Sequence, residues 1–237
     1  MEIEIIKSNF KVAFCLPSLG RITVATHMGL LTTYKVFDKL GIEYDEIFAL
    51  GNPYIAESRN FLVAKFLETD CTDLFFIDDD MGFRPESVFK ILKRPEGIVG
   101  GVYRMKIADI SYMGACKTNS EGRPYGRDGL IEATRLPMGF TRIKRGVFET
   151  MIKAYPELYY DDFGIKRYNL FGHIQEDNHY YGEDYSFCIR AAKLGITMWI
   201  EPDIDFHHIG SKDYEGNFHE YMLSLKKEED NVVLPML

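Results

Sequence analysis

The feature that most constrains the fold is a regular alternation of short apolar runs and helical segments over residues 11 to 103. The apolar runs are KVAFCLPSLG (11–20), EYDEIFAL (43–50), DLFFID (73–78) and GIVGGVY (97–103). Between them, apolar side chains recur at helical spacing over 24–40, 55–68 and 85–92. Such an alternation predicts an α/β domain with a mostly parallel central sheet and helices on both faces.

The pattern changes after residue 103. Residues 104–145 contain only short strand-like pieces, which predict a small antiparallel annex, and a helix follows at 145–155. The polar and aromatic stretch 156–182 is predicted to be a long loop, of the kind that serves as a lid or binding segment. A further helix at 183–195 precedes two short strands, the second of which ends in His207 and His208.

The chain has no internal repeat or linker, which predicts one domain over 1–225. The weakly patterned segment 226–237 is then a C-terminal tail that can be mobile.

The composition excludes several classes of protein. No apolar run approaches the roughly 20 residues that a membrane helix needs, and the acidic N-terminus lacks the layout of a secretion signal. The cysteines, which contain no C-x-x-C pair, are Cys15, Cys71, Cys116 and Cys188. Scattered cysteines of this kind are typical of buried thiols in a reducing cytoplasm rather than of disulfides or a zinc site.

Charge is distributed unevenly along the chain. The net charge of −8 argues against a non-specific nucleic-acid binder. Residues 104–145, however, contain nine basic and four acidic side chains, a net charge of about +5 for this segment. The segment indicates either a local anionic partner, such as a ligand that carries phosphate, or a solvated basic face.

Three consecutive aspartates, Asp78, Asp79 and Asp80, follow the apolar run LFFI. Ligands of open α/β sheets bind beyond the carboxyl ends of the strands, which is where these carboxylates are predicted to lie. One of them could cap the next helix, but capping requires a single side chain. Three clustered carboxylates repel one another unless a cation neutralises them, and hard cations such as Mg²⁺ or Mn²⁺ prefer oxygen ligands.

Other readings of the aspartates fit less well. The first strand is not followed by a G-x-G-x-x-G or Walker loop, which disfavours dinucleotide and P-loop proteins. Asp78 and Asp80 also match the D-x-D pair of haloacid-dehalogenase-type phosphatases. That family has a threonine two places after the second aspartate, where this chain has Gly82.

Six segments of the chain match the motifs of one known family, and they occur in the same order as in that family. They are CLPSLG, ESRNFLVAKFL, FFIDDDM, LPMGFTRIKRGVFE, GEDYSFCIRAAKLG and FHHIG. On these motifs, residues 11–210 resemble the family 2-like glycosyltransferases of the GT-A fold, a Rossmann-like single domain.

The resemblance implies a metal site. Asp80 would bind the metal directly, Asp78 would contact the ribose or the metal, and Asp79 would support either of them. His207 or His208 would supply a second ligand to Mn²⁺ or Mg²⁺. Because alternate residues of a strand face opposite sides, only one of the two histidines can face the site, and the sequence favours His208.

The resemblance also implies a general base. Asp184, with Glu183 as the alternative, would take the proton of an acceptor hydroxyl if the reaction inverts the anomeric centre. Two acids at a helix start are also explained by the helix dipole alone.

The remaining motif residues would bind the donor. Pro17 and Ser18 belong to the predicted nucleotide loop, and Arg59 would meet either the nucleotide or a core carboxylate. Met138 and Gly139 would line the sugar pocket, where a glycine allows close approach of the backbone.

The implied activity is metal-dependent transfer of a sugar from a nucleotide-diphosphate sugar, with a uridine diphosphate sugar favoured, to an acceptor hydroxyl. Residues 104–130 and 156–182 would hold the acceptor, because the chain has no membrane span or separate acceptor domain. The acceptor is a saccharide, a protein or a hydroxymethylated base in DNA, since phage enzymes of this compact type modify DNA bases. A non-catalytic protein that binds nucleotide sugars or glycans, and the D-x-D phosphatase, are the alternatives. The sequence leaves the oligomeric state open.

Overall fold

A computed structural model describes residues 10–231 and arranges them around a central sheet of nine strands. The helices are α1 (Val24–Leu40), α2 (Ile55–Glu68), α3 (Pro85–Leu92), α4 (Arg145–Ala154), α5 (Glu183–Lys193) and α6 (Phe218–Asn231). The first eight strands are β1 (Val12–Ser18), β2 (Tyr44–Leu50), β3 (Asp73–Ile77), β4 (Met81–Gly82), β5 (Ile98–Gly100), β6 (Ala115–Cys116), β7 (Gly126–Arg127) and β8 (Leu130–Arg135). The others are β9 (Phe140–Lys144), β10 (Tyr159–Asp162), β11 (Ile165–Tyr168), β12 (Ile174–Glu176), β13 (His179–Tyr181), β14 (Met198–Ile200), β15 (Asp205–Ile209) and β16 (Asp213–Asn217).

The central sheet confirms the predicted α/β architecture. Its order is β2-β1-β3-β9-β5-β14-β8-β6, with β7 beside β8. The pairings give seven strands one direction and leave only β9 and β8 running against them. The carboxyl ends of β1, β2 and β3 therefore meet at one edge of the sheet.

Helices cover both faces of the sheet, as the alternation predicted. Successive side chains of β3 enter two separate clusters. Leu74 and Phe76 pack with α2, α4 and α5, whereas Phe75 and Ile77 pack with α1 and α3. All four side chains are fully buried, so β3 is a central strand that carries the aspartates out of the core to the sheet edge.

The prediction of a structureless loop over 156–182 is wrong. This stretch forms a single-turn 3-10 helix and two hairpins, β10–β11 and β12–β13. Cross-strand pairing of Tyr159 with Tyr168 supports the first hairpin. The second turns at Asp177 and Asn178, two residues that tolerate the positive φ values of 51° and 62° found there. Neither hairpin has the apolar alternation that identifies a strand in sequence.

The C-terminal region also has more structure than its pattern indicated. Strand β15 pairs with β16 on one side and with β4 on the other in a small antiparallel sheet, and β15 holds both predicted histidines. Helix α6 extends to Asn231, so the predicted tail begins inside a helix, and its last residues, 232–237, lie outside the described residues. The predicted domain start, 1–9, lies outside them as well.

The other compositional expectations can be compared with the described residues. Over 10–231 no helix has the length and apolarity needed to cross a membrane. All four cysteines are free, and Cys15, Cys71 and Cys188 are buried. The scattered thiols are therefore packing groups, as expected.

Several side chains of the basic segment are used by the fold itself. The fully buried Arg142 donates to the backbone carbonyls of Ile91, Arg94 and Glu96. Lys144 donates to the carbonyl of Pro95 at 2.8 Å. The positive charge of 104–145 is thus not gathered on one solvated face.

Arg145 satisfies carbonyl groups at the end of α2. Its guanidinium donates to the carbonyls of Cys71 at 2.8 Å, Thr69 at 2.8 Å and Phe66 at 3.1 Å, and it lies over the Phe66 ring. The carbonyls of Thr69 and Cys71 lie just beyond α2, where no further helical turn supplies donors. The carbonyl of Phe66 lies in the last turn and also accepts from Thr69 N at 3.0 Å. The arginine therefore fastens α2 to the start of α4.

We expect Arg145→Met to lower the free energy of unfolding by about 2–3 kcal/mol, because it leaves these carbonyls without a charged donor. Urea denaturation measures the effect. Lys153→Met, an exposed substitution on the same helix, is the matched control and should change stability by less than about 0.5 kcal/mol. Equal stabilities of the two variants would contradict the role of Arg145.

Candidate active site

The candidate site is organised around one buried arginine. Arg59 lies within α2, and only 2% of its side chain is exposed. Its Nη2 donates to Asp78 Oδ1 at 3.1 Å, and its Nε lies 3.2 Å from Asp184 Oδ1 and 3.7 Å from Glu183 Oε1. The guanidinium also packs over the ring of Phe76. The sequence left two partners open for Arg59, the nucleotide or a core carboxylate, and in the structure Arg59 pairs with carboxylates.

This ion pair connects two distant motifs. Asp78 follows the carboxyl end of β3, and Asp184 lies in the first turn of α5. One guanidinium faces three carboxylates, so the cluster retains excess negative charge. Burial raises the pKa of Asp184, and the negative charges of Glu183 and Asp78 act in the same direction, while Arg59 opposes them. The resulting pKa is about 7. Burial also raises the pKa of Asp78.

The predicted sugar-pocket pair lies between these carboxylates. Met138 N donates to Asp184 Oδ2 at 3.0 Å, and Asp78 N donates to the Gly139 carbonyl at 3.0 Å. The Met138 side chain is fully buried, so this residue offers its backbone to the site. A Cβ on Gly139 would lie 2.3 Å from Tyr103 Oη and 2.6 Å from Asp78 Oδ2, which no real side chain could tolerate. Only glycine fits at position 139.

A second group of ligating atoms surrounds Asp80. His208 Nε2 lies 3.6 Å from Asp80 Oδ1. The Nδ1 of His208 is 2.7 Å from the Arg104 carbonyl, which can only accept, so we assign the proton to Nδ1 and an unshared pair to Nε2. Burial lowers the pKa of His208, which also favours the neutral ring.

Two hydrogen-bond acceptors therefore face each other. Among the described residues, Asp80 Oδ1 is buried and has no hydrogen-bond donor. A carboxylate oxygen and an imidazole nitrogen that face each other at 3.6 Å are two donor atoms that one cation could bind. An imidazole whose far nitrogen is held by a backbone carbonyl is a common arrangement for a metal-binding histidine. The donor set thus fits a divalent cation.

Backbone pairing fixes this geometry. In the small sheet, β15 pairs with β4 so that His208 stands opposite Met81. Ile209 N also donates to the Asp80 carbonyl at 2.8 Å. The histidine is consequently held beside the aspartates by the strand that immediately follows them.

His207 points to the other side of β15. Its Nδ1 lies 2.7 Å from Asp213 Oδ2 and 3.7 Å from Glu215 Oε1, and its side chain is 43% exposed. Strand alternation separates it from Asp80, as the sequence argument required. The structure brings His208, and not His207, to the aspartates.

The predicted nucleotide loop reaches the same edge of the sheet. Pro17 is buried at the end of β1, and Ser18 Oγ accepts from the backbone N–H of Gly20 at 3.0 Å. The Asp79 carbonyl accepts from Thr23 N at 2.8 Å, which ties the loop after β1 to the aspartates. Asp79 thus contributes a backbone contact between two predicted donor-binding segments.

Sequence reasoning missed two residues of this site. Tyr103 Oη accepts from Gly139 N at 3.2 Å, and its ring packs edge-on against His208. Lys106 contacts the second oxygen of Asp80. Tyr103 ends the apolar run GIVGGVY, and its place at a strand end was the available signal. Lys106 was one of nine basic residues in its segment, and the sequence does not distinguish it from the others.

Comparison with known proteins supports the fold. No protein-family model and no curated protein matches the chain. Among solved structures, A197 from STIV is 19% identical with a TM-score of 0.52, covering 86% of this chain and 87% of that one. A glycosyltransferase involved in the glycosylation of the major capsid of PBCV-1 is 10% identical with a TM-score of 0.34, covering 62% of this chain and 66% of that one. S. aureus TarS 1-349 is 12% identical with a TM-score of 0.38, covering 95% of this chain and 67% of that one.

The chain has a GT-A-like fold, as its ordered motifs predicted. At these identities the likeness concerns the fold alone, and A197 is the structure of the three with a TM-score above 0.5. The chemistry must therefore be argued from the site itself.

We expect the stability of Asp184→Asn relative to the wild type to increase with pH. At or below the ordinary aspartate pKa of about 4, Asp184 is protonated in the folded protein and the charge cost is absent. As the pH rises to about 7, the unfolded chain loses this proton while the folded protein retains it, so the wild type loses stability relative to the variant. The melting temperature of Asp184→Asn minus that of the wild type should therefore grow between these limits and then level off.

Differential scanning fluorimetry from pH 4.5 to 8 measures this difference. Glu149→Gln, an exposed carboxylate on α4, is the control and should show no such trend. A constant difference for Asp184→Asn across the range would contradict the effect of burial on this carboxyl.

Proposed function

We propose that the protein is a metal-dependent glycosyltransferase that moves a sugar from a nucleotide-diphosphate sugar to an acceptor hydroxyl with inversion. The observation that carries the proposal is the meeting of the two motif halves: Arg59 joins Asp78 to Asp184, while Asp80 faces His208. The proposed cation ligand Asp80 thus belongs to the segment 78–80, and the proposed ligand His208 faces it. The proposed base Asp184 is joined to the same segment through Arg59, which supports the proposal. The GT-A-like fold places this arrangement where such sheets bind ligands.

Asp80 and His208 would hold the metal. A carboxylate oxygen together with an imidazole nitrogen suits Mn²⁺ better than Mg²⁺, which prefers oxygen ligands alone. When bound, the metal would take up the charge that develops on the departing diphosphate. Arg59 donates to the carboxylate of Asp78 and fixes its orientation. Asp78 would then accept a hydrogen bond from a ribose hydroxyl at the edge of the site.

Asp184 would act as the general base. Its carboxylate is held by Met138 N and by Arg59, which fixes its orientation, and 15% of the side chain remains exposed. A base works best when its pKa lies near the working pH, and a value of about 7 meets that condition. Glu183, whose carboxylate lies farther from Arg59, is the alternative base.

The donor would bind across the ends of β1 and β3. Pro17 and Ser18 end β1, and Asp79 connects that loop to the aspartates through its carbonyl. Gly139 has no side chain, which lets its backbone lie close to Asp78 and Tyr103 beside the proposed sugar pocket. We propose a uridine diphosphate sugar as the donor.

The acceptor is proposed to be a saccharide rather than DNA. A cavity of about 350 Å³ lies between α2 and the β10–β11 hairpin, and its lining includes Glu57, Glu157, Tyr159 and Tyr160. Carboxylates accept hydrogen bonds from hydroxyl groups but repel phosphates. Helix α2 begins beyond the carboxyl end of β2, so this cavity adjoins the same sheet edge as the site. The internal use of Arg142, Lys144 and Arg145 supports the same choice.

We expect Mn²⁺ together with UDP to raise the melting temperature of the wild type, because a ligand that binds only the folded state stabilises it. Asp80→Asn and His208→Ala should lose the shift while retaining the fold. His207→Ala, the neighbouring histidine on the opposite face, should retain the shift. Thermal shift assays with UDP, GDP and dTDP, each with and without Mn²⁺, measure the effect.

The result distinguishes the competing functions. A wild type that shows no shift with any nucleotide diphosphate would overturn the proposal. A shift without sugar transfer to any member of a glycan array, or to DNA with hydroxymethylated bases, would favour the non-catalytic binding protein. Release of phosphate from simple monoesters would favour the phosphatase.

We expect the turnover rate to depend on the ionisation of Asp184. At saturating Mn²⁺ and substrates, kcat should rise about tenfold per pH unit below pH 7 and level off above it, because only the ionised carboxylate can accept the proton. Asp184→Asn should remove the activity, whereas Glu183→Gln should stay active with the rise in kcat moved to lower pH, because it removes a charge that raises the pKa of Asp184. A profile that is flat from pH 5.5 to 8.5, or loss of activity only in Glu183→Gln, would reassign the base.

A further inference from the structure

Lys106 places a positive charge beside the proposed metal ligand. Its Nζ contacts Asp80 Oδ2, while His208 faces the other oxygen of the same carboxylate. The lysine side chain is 33% exposed, and its stem lies against Gly210, where an added Cβ would come within 3.0 Å of Lys106 Cδ. The ammonium group thus has access both to Asp80 and to the solvent-filled edge of the site.

The two ends of the loop that carries Lys106 are joined by backbone contacts. Met105 N donates to the Ser111 carbonyl at 2.8 Å, and Arg104 forms a β-bridge with Tyr112. Arg104, at one end of this loop, also supplies the carbonyl that holds His208. Lys106 therefore sits on a short loop that is fastened next to the cation site, and its long side chain can move without displacing the loop.

The other cationic side chains near the aspartates cannot move away from their partners as the Lys106 side chain can. Within residues 10–231, the ion pairs of Asp78 and Asp80 involve Arg59, Lys106 and the neutral His208. Arg59 is buried between carboxylates, and the Arg104 guanidinium lies over the Tyr214 ring. Lys106 is the cation in this group with an exposed, flexible side chain.

A divalent cation and this ammonium cannot both bind Asp80 without repelling each other. The repulsion between like charges is strong at these distances in a partly buried site. Lysine is a compact charge on a flexible stem, and it commonly binds phosphate groups. The diphosphate that accompanies the metal would offer Lys106 a new partner close to the one it gives up.

We propose that Lys106 is a binding residue for the donor diphosphate. It neutralises Asp80 in the free protein, leaves Asp80 when the divalent cation binds, and then contacts the phosphates. The proposal rests on the proposed function, because it requires both a cation at Asp80 and a nucleotide diphosphate. It assigns to the donor a residue of 104–130, a segment that the sequence analysis had assigned to the acceptor.

The test measures two affinities that should change in opposite directions in Lys106→Met. Calorimetric titration of MnCl₂ without nucleotide should give tighter binding than in the wild type by about two- to fivefold, the effect expected on removal of a half-exposed ion pair. Titration of UDP at saturating Mn²⁺ should give weaker binding by about tenfold, the effect expected on loss of a charged hydrogen bond. Damage to the fold would weaken both, so opposite changes identify the proposed role.

Two further variants complete the experiment. Lys117→Met removes a lysine that is paired with Glu132 away from the site and should change neither affinity. Lys106→Arg keeps the charge and should keep most of the UDP affinity. Unchanged or weaker Mn²⁺ binding by Lys106→Met, or unchanged UDP binding, would overturn the inference. If the wild type binds neither Mn²⁺ nor UDP, both this inference and the proposed function are overturned.

Discussion

The contact of Arg59 with Asp78, Asp184 and Glu183 is the interaction on which the rest of the site depends. A guanidinium that is almost fully buried is tolerated only because carboxylates surround it, and removing one side of such a pair usually costs more than the pair contributes. Its effect here is geometric. It fastens the end of β3 to the start of α5, so the proposed metal ligands and the proposed general base are held together by one side chain from a third element.

The same contact leaves the site short of positive charge. One arginine cannot neutralise Asp78, Asp184 and Glu183 and also offset Asp80 nearby. Two features accord with this shortage: burial and the neighbouring carboxylates raise the pKa of Asp184, and Lys106 contacts Asp80. Local instability of this kind is common where function requires it, because a site adapted to bind a cation and a reacting substrate is not arranged for greatest stability alone.

The sequence predicted the parts of this molecule in which periodicity and strand position determine the outcome. β1, β3, α1, α2 and the edge location of the aspartates followed from apolar runs and from the rule that parallel strands end at a shared edge. Strand alternation likewise separated His207 from His208. The hairpins within 156–182 could not be found, because their tyrosine pairs and their turn at Asp177 lack an apolar pattern. The partner of Arg59 and the contact of Lys106 depend on tertiary packing, which residue type alone does not specify.

This division explains why the sequence indicates a reaction more clearly than an acceptor. The proposed chemistry belongs to residues at the ends of buried strands and helices, such as Asp80 and Asp184, where the core fixes the geometry and the sequence pattern is strong. The acceptor would meet the hairpin of Tyr159 and the short turn before it, which are surface segments with little apolar periodicity. Binding specificity commonly resides in such segments, since they can change without disturbing the scaffold. A chain can therefore keep a recognisable reaction centre while the features that select its acceptor lie in the parts that local sequence patterns describe least well.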